Sequence, residues 1–302
     1  MRVVVTGATS FIGLTTVKQL LEAGHQVFAV VRPASSNMKS LEELVDGEKK
    51  KLLTVCRVDL SDIRSLTGFS ADAWIHMGWD GSGSENRKKR DMQQANVTYC
   101  MDAVETAALL GCRRFLFTGS QAEYGVWHQT VAEDTPCRPV SEYGKAKAEV
   151  GEKAKTLCEA RNMDFIHARI YSVYGTGDHP WSLIASCLRT WKDAGHIKLG
   201  ACTQNWNFLY IEDAAAAIVT LLIEGKPGIY NIGSNDTRML KNFVEEMYTL
   251  CGSRGSFAYG ERPENAEGLT DLMPDISKIL RDTSWKPAVS FAEGISRMIE
   301  QS

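Results

Sequence analysis

The run Arg2-Val3-Val4-Val5-Thr6 passes directly into Gly7-Ala8-Thr9-Ser10-Phe11-Ile12-Gly13, and a helical apolar pattern follows. A β-branched strand, a glycine-bearing turn and a helix in that order form the opening unit of a parallel α/β sheet. Gly7 permits the tight turn and Gly13 lets the helix pack close to the strand. The helix N-terminus, with its free amides and dipole, suits a pyrophosphate. The middle glycine of the usual dinucleotide pattern is Ser10 here. Gly7, Thr9, Ser10, Phe11, Ile12 and Gly13 are therefore the expected cofactor turn.

The same alternation continues through the first half. Strands are expected near Val3 to Thr6, Gln26 to Val31, Leu53 to Val58, Ala73 to Met77, Arg114 to Thr118 and Phe165 to Ile170. Helices are expected over Ile12 to Ala23, Met92 to Leu110 and Ser141 to Arg161, the first two followed by Gly24 and Gly111 as left-handed caps. Such a chain folds as a doubly wound parallel (Rossmann) sheet with helices on both faces. Beyond Ile170 the pattern is punctuated by Gly175, Gly177, Pro180 and Gly195, before Phe208 to Ile211 and Gly228 to Ile232 read as strands again. This places a dinucleotide-binding domain at 1–171 and 206–235, and a smaller, partly discontinuous C-terminal substrate lobe at 172–205 and 236–302.

A formal charge of −3 over 302 residues leaves no general basic surface for nucleic acid or an anionic membrane. Eight cysteines occur without a Cys-x-x-Cys pair, so no zinc site is expected and the thiols read as reduced. The chain starts on a strand, and its longest apolar run, near Ala214 to Ile223, is too short to span a bilayer. A cytoplasmic protein with a small-molecule substrate is the expectation, with no nucleic acid, membrane or metal partner.

Tyr143 and Lys147, four residues apart, share a helix face, which lets the ammonium favour ionisation of the phenol. A phenol so tuned exchanges a proton with a substrate hydroxyl or carbonyl. Ser120 ends the fifth strand, and ligands bind at strand carboxyl ends in open α/β sheets. Its hydroxyl is expected to hold the oxygen that Tyr143 serves, with Asn96 supporting Lys147 from the preceding long helix through a backbone or water-mediated bond. The second strand ends Val30-Val31-Arg32 instead of on the acidic residue usual for NAD. Arg32, with Ser35 and Ser36, suits a 2′-phosphate, so NADP(H) is favoured and NAD(H) is the alternative.

Taken in order, these residues resemble the extended short-chain dehydrogenases/reductases, the NAD-dependent epimerase/dehydratase family of nucleotide-sugar type, over essentially the whole chain. The resemblance extends to Asp59-Leu60, to Asp72 to Gly78, to Asn207 to Asp213, to Gly228 to Gly233 and to Trp285-Lys286-Pro287. It implies Ser120, Tyr143 and Lys147 as a catalytic triad, Lys147 also meeting the nicotinamide ribose. It further implies that Asp59, Leu60, Met77, Gly78, Tyr143 and Ile170 line the cofactor, and that Ser120, Glu123, Ser172, Trp206 and Arg262 meet the substrate. Two departures stand out: Ser172 replaces the asparagine of Arg-x-x-Asn-x-Tyr-Gly, and Trp206 replaces an arginine that meets a diphosphate. Arg262-Pro263, aided by Lys198, resembles the C-terminal diphosphate clamp.

The implied activity is hydride transfer at a sugar carbinol or ketone, foremost C4 of a nucleotide-activated hexose or deoxyhexose. Gln121-Ala122 after Ser120 replace the Asp-Glu pair of 4,6-dehydratases, so a 4-ketoreductase or 4-epimerase ranks first. An NADPH-dependent reductase of a non-sugar ketone or aldehyde is the alternative, and a catalytically silent redox sensor ranks below both. The resemblance also implies a homodimer through the helices near 92–110 and 141–161.

Overall fold

The computed structural model describes residues 1–35, 37–83, 85–262 and 270–301. Its strands are β1 (Arg2–Thr6), β2 (Gln26–Val31), β3 (Leu53–Arg57), β4 (Ala73–His76), β5 (Arg114–Ser120), β6 (Asp164–Ile170), β7 (Ser172–Tyr174), β8 (His196–Lys198), β9 (Asn205–Tyr210), β10 (Gly228–Ile232), β11 (Thr237–Met239) and β12 (Ser256–Ala258). Its helices are α1 (Phe11–Glu22), α2 (Met38–Glu42), α3 (Arg90–Leu109), α4 (Glu142–Ala160), α5 (Leu183–Lys192), α6 (Ile211–Glu224), α7 (Leu240–Leu250), α8 (Ser277–Asp282) and α9 (Phe291–Glu300).

Seven strands form one parallel sheet in the order β10-β6-β5-β4-β1-β2-β3. Because side chains alternate along a strand, Val3 and Val5 point to one face and Val4 to the other. Val3 and Val5 pack with Val17, Leu20, Ala214 and Ile218 from α1 and α6. Val4 packs with Val97, Cys100, Val104, Ala146 and Val150 from α3 and α4. Both faces are covered, which explains the nearly unbroken apolar strands. The chain reverses its winding between β1 and β4, and a crevice opens there beyond the strand carboxyl ends.

The expected elements of the first half are present, with ends shifted by no more than two residues. Gly24 and Gly111 close α1 and α3 at φ +77° and +85°. The later strands divide between layers. The β9 strand pairs with β7 in parallel and with β11 antiparallel in a separate three-stranded sheet, whereas β10 edges the central sheet. Segment 206–235 is thus shared between the two layers, and Ile211 opens α6 instead of ending a strand. The C-terminal segment is divided too, because Ile276, Ile279 and Trp285 return to the central core. A third apolar cluster, with Ile184, Leu188, Trp191, Phe243, Met247, Phe291 and Ile295, holds α5, α7 and α9 against β9. Among the described residues no helix is long and apolar enough to cross a membrane.

Candidate active site

The glycine turn is built as its residue types require. Gly7 sits at φ +71°, and a Cβ there would stand 2.8 Å from the amide nitrogen of Gly78. A Cβ on Gly13 would fall on the carbonyl oxygen of Gly7. Ser10 caps α1, its Oγ accepting from the Gly13 amide at 3.1 Å. Thr9 Oγ1 accepts from Ser35 Oγ at 3.0 Å, and Phe11 and Ile12 pack against the apolar cluster of the second lobe. Across the crevice, Thr6 Oγ1 accepts from the Gly78 amide at 3.2 Å and bonds His76 Nδ1 at 3.0 Å. Met77 is partly buried against the central core, and Leu60 packs so close to Gly78 that a Cβ there would meet its Cδ2 at 2.9 Å.

Beside the turn, a cleft of about 460 Å³ is lined by Pro33, Arg57, Asp59, Ser61, Asp62 and Arg64. Asp59 caps the short 3-10 turn that follows it, its Oδ1 accepting from the Ser61 amide at 3.3 Å. Arg32 Nη1 lies 3.5 Å from Asp80 Oδ1, and both side chains are exposed. Ser36 lies outside the described residues.

Two elements deliver the expected triad. Ser120 is the last residue of β5 and is 8% exposed; its Oγ accepts from the Ala122 amide at 3.2 Å and caps a 3-10 turn. Ser141 caps α4 in the same way, and this starts the helix so that Tyr143 and Lys147 face inward, 9% and 3% exposed. Lys147 Nζ donates to the Thr118 carbonyl at 2.7 Å, tying α4 to the end of β5. Burial lowers the Lys147 ammonium to about 7, against the opposing pull of Glu123 and Cys100. Ile170, at the end of the neighbouring strand β6, is buried beside this end of the sheet.

Several expected site residues lie elsewhere. The Asn96 side chain bonds the Asp80 backbone: its Oδ1 accepts from the Asp80 amide at 2.8 Å, and its Nδ2 donates to the Asp80 carbonyl at 2.9 Å. It clamps the loop after β4. Glu123, expected at the substrate, is fully buried beneath Ser120. Its Oε1 accepts from the Ser120 amide at 2.8 Å and lies 3.1 Å from His167 Nε2, while Oε2 takes Arg169 Nε at 2.8 Å. Burial alone would raise the Glu123 carboxyl, but His167, Arg169 and the Ser120 amide hold it below the usual glutamate range. A carboxylate so buried, with both oxygens engaged, supports the strand end and does not face a substrate.

In the second lobe Ser172 is half-buried at the start of β7. Trp206 is half-buried in β9, facing Arg238 in register. The Trp206 Nε1 and the Tyr171 hydroxyl are buried with no hydrogen-bond partner among the described residues. Arg262 is exposed, its amide donating to the Leu199 carbonyl at 3.0 Å, and Pro263 lies outside the described residues. Lys198 is paired with Glu261 at 3.1 Å instead of standing free.

The sequence reading missed the group that surrounds Tyr143 and Lys147. The Trp79 ring centroid lies 3.9 Å from Lys147 Nζ and meets Tyr143 edge-on at 5.9 Å. Arg87 stacks its guanidinium 4.3 Å from the centroid of the Tyr143 ring. Gln93, three residues before Asn96, holds Trp79 Nε1 at 2.8 Å. The one available signal was that spacing, which puts two amides on one helix face.

Comparison with known proteins agrees with the fold. The chain is 24% identical to the dTDP-D-glucose 4,6-dehydratase of Mus musculus, over 99% of this chain and 88% of that one. It is also 24% identical to the dTDP-4-dehydro-6-deoxyglucose reductase of Escherichia coli, over 99% and 96%. Its fold resembles that of the UDP-glucose 4-epimerase of Thermus thermophilus, solved in complex with NAD, with a TM-score of 0.86 at 22% identity over 99% and 98% of the two chains. The model of the NAD dependent epimerase/dehydratase family matches residues 3–233. The chain belongs to that family.

Proposed function

We propose that the protein is an NAD(P)-dependent oxidoreductase or epimerase acting at C4 of a nucleotide-activated hexose or deoxyhexose. The observation that carries this reading is the Lys147 ammonium, buried at the end of β5 and one helical turn from Tyr143. A cation at that depth, bonded to a carbonyl and stacked on aromatic rings, is costly to keep, and the neighbouring phenol is what it serves.

The glycine turn fits a dinucleotide: a Cβ at Gly7 would strike the Met77–Gly78 backbone and one at Gly13 the Gly7 carbonyl, so glycine at both keeps the turn tight ahead of the helix N-terminus. When bound, the nicotinamide supplies or takes up the hydride at the sugar carbon. Tyr143 gives a proton to the ketone oxygen in the reducing direction and removes it from the hydroxyl in reverse. Lys147 favours the phenolate and orients the ribose, and Ser120 holds the reacting oxygen. The lobe built on β7, β9, α5, α7 and α9 covers the sugar nucleotide, with Ser172, Trp206 and Arg262 toward it. A homodimer through α3 and α4 belongs to the same reading.

Relatives that reduce, dehydrate or epimerise support the class of substrate but not one reaction. Gln121-Ala122 after Ser120 favour a 4-ketoreductase or a 4-epimerase over a dehydratase. Arg32 favours NADP(H) and hence a reductase that releases its cofactor. Asp80, paired with Arg32, opposes a 2′-phosphate and keeps NAD(H) in play. A second reading, reduction of a non-sugar ketone or aldehyde, is favoured by Trp206 at a position where an arginine would meet a diphosphate.

Denaturing the purified protein, identifying any released dinucleotide and titrating the stripped protein with NADPH and NADH tests the choice. An empty site that prefers NADPH supports the reductase. Tightly retained NAD supports the epimerase and overturns the role given to Arg32. No binding of either dinucleotide overturns the proposal.

A further inference from the structure

We infer that Trp79, held in place by Gln93, is a positioning residue that fixes the Lys147 ammonium and the Tyr143 phenol relative to each other. This rests on the proposed role of that pair and adds a residue outside the triad.

The geometry has three parts. First, Lys147 Nζ donates to a backbone acceptor, the Thr118 carbonyl at 2.7 Å, and its remaining neighbours include aromatic faces: Trp79 at 3.9 Å and Phe117 at 4.7 Å from the ring centroids. A desolvated ammonium over an indole face is held by the ring quadrupole, and indole is the strongest of the three aromatic partners. Second, the same indole meets the Tyr143 ring edge-on, 5.9 Å between centroids. One rigid plane therefore touches both groups of the pair. Third, the plane is not free to turn. Trp79 Nε1 donates to Gln93 Oε1 at 2.8 Å, and Gln93 is fully buried. The Gln93 amide nitrogen donates to the Gly81 carbonyl at 2.9 Å and the Asn86 carbonyl at 3.0 Å. One side chain on α3 thus orients the indole and bonds the loop from which Arg87 reaches over the Tyr143 ring.

A glutamine inside a helix that spends its acceptor and both amide hydrogens on one loop has a buried network to satisfy. The structural alternative is that this network merely closes the loop. The two readings differ in what they predict for Lys147. Charged and titratable groups facing Lys147 are Glu123 from the 3-10 turn after β5, Cys100 from α3, His76 from β4, and Tyr143 on its own helix. Burial holds His76 neutral at about 3 and raises the Cys100 thiol, so among these groups Glu123 is the anion near the ammonium and Trp79 its nearest aromatic support.

The test is the titration of Lys147, read by NMR on protein carrying ¹³C-labelled lysine, with the signal identified by its loss in Lys147→Met. It needs no substrate, so it stands or falls separately from the sugar-nucleotide reading. In Trp79→Leu the midpoint is expected to fall by roughly one pH unit, the worth of a desolvated cation–π contact, and Trp79→Phe should recover part of it. Where a sugar nucleotide is turned over, kcat should drop roughly tenfold or more in Trp79→Leu while the dinucleotide Kd stays within about twofold. A midpoint that stays put or rises in Trp79→Leu overturns the inference. Gln93→Met, which leaves the ring but frees its Nε1, covers the case in which Trp79→Leu does not fold: a smaller fall is expected, and an unchanged midpoint overturns the inference equally. A shifted midpoint in a protein that turns over no nucleotide sugar upholds the positioning role and sinks the functional reading instead.

Discussion

Replacing Glu123 by glutamine changes no volume but removes a charge from a fully buried site. The carboxylate serves three donors: the Ser120 amide at 2.8 Å, His167 Nε2 at 3.1 Å and Arg169 Nε at 2.8 Å. Glutamine keeps one acceptor oxygen and turns an NH₂ toward one of those donors, leaving the Arg169 guanidinium without its counter-charge. Breaking a buried pair from one side costs about 3–5 kcal/mol. For a chain of this length that corresponds to a fall in Tm of roughly 5–8 °C. Because Ser120 is held through its amide, kcat measured well below Tm should also drop, by roughly tenfold. The effect has a pH signature. The folded carboxyl is held below its unfolded value near 4.3, so its contribution is fully present above that value and is lost as pH falls through the folded one. Thermal unfolding of wild type and Glu123→Gln should therefore differ by a constant amount above about pH 5 and draw together only as the pH falls below the unfolded value toward the folded one. A Tm within a degree of wild type at pH 7, with kcat unchanged, would refute the buried ionic support of Ser120.

Two further outcomes follow from the same geometry. Arg32→Asp should weaken NADPH binding roughly tenfold or more while leaving NADH within about twofold, as a fluorescence titration would show; equal effects on both would remove the 2′-phosphate role. Lys147→Met should abolish turnover yet stabilise the protein at low pH. Between about 7, the folded value, and about 10.4, the unfolded state binds more protons than the folded one, so wild-type stability rises with pH across that window. The methionine variant should gain on the order of 4 kcal/mol at pH 6 and nearly nothing at pH 10, measured by denaturant unfolding; an equal gain at both would contradict a buried ammonium.

The first half of the fold was legible because the inner strands are largely apolar runs buried on both faces, and because glycine closes α1 and α3 where a left-handed residue is needed. The lobe was less so. Its strands β7, β8, β11 and β12 are three residues each, too short for an alternating pattern to stand out. Of the site, the glycine turn and the Tyr143–Lys147 helix face follow from local spacing alone. Glu123 does not, because its partners His167 and Arg169 lie 44 and 46 residues away, on a neighbouring strand. Nothing local distinguishes a carboxylate turned under the sheet from one turned toward a ligand. The partners of the Asn96 side chain depend on the path of the loop after β4, which no local pattern fixes. The Asp80 backbone, 16 residues upstream, takes that side chain. Trp79 sits in a glycine-rich loop whose path depends on Gln93, so its place beside Lys147 emerges only from the folded chain.

Deuterium transfer tests the central chemistry most directly. UDP- and dTDP-activated hexoses and 6-deoxyhexoses carrying deuterium at C4 are incubated with the protein and NAD⁺ or NADP⁺, quenched during turnover, and the nicotinamide is examined by mass spectrometry. Hydride transfer at C4 requires a gain of one mass unit on the nicotinamide with wild type and none with Tyr143→Phe, which still binds dinucleotide. Unlabelled nicotinamide with every sugar nucleotide, or label transfer undiminished in Tyr143→Phe, would contradict it.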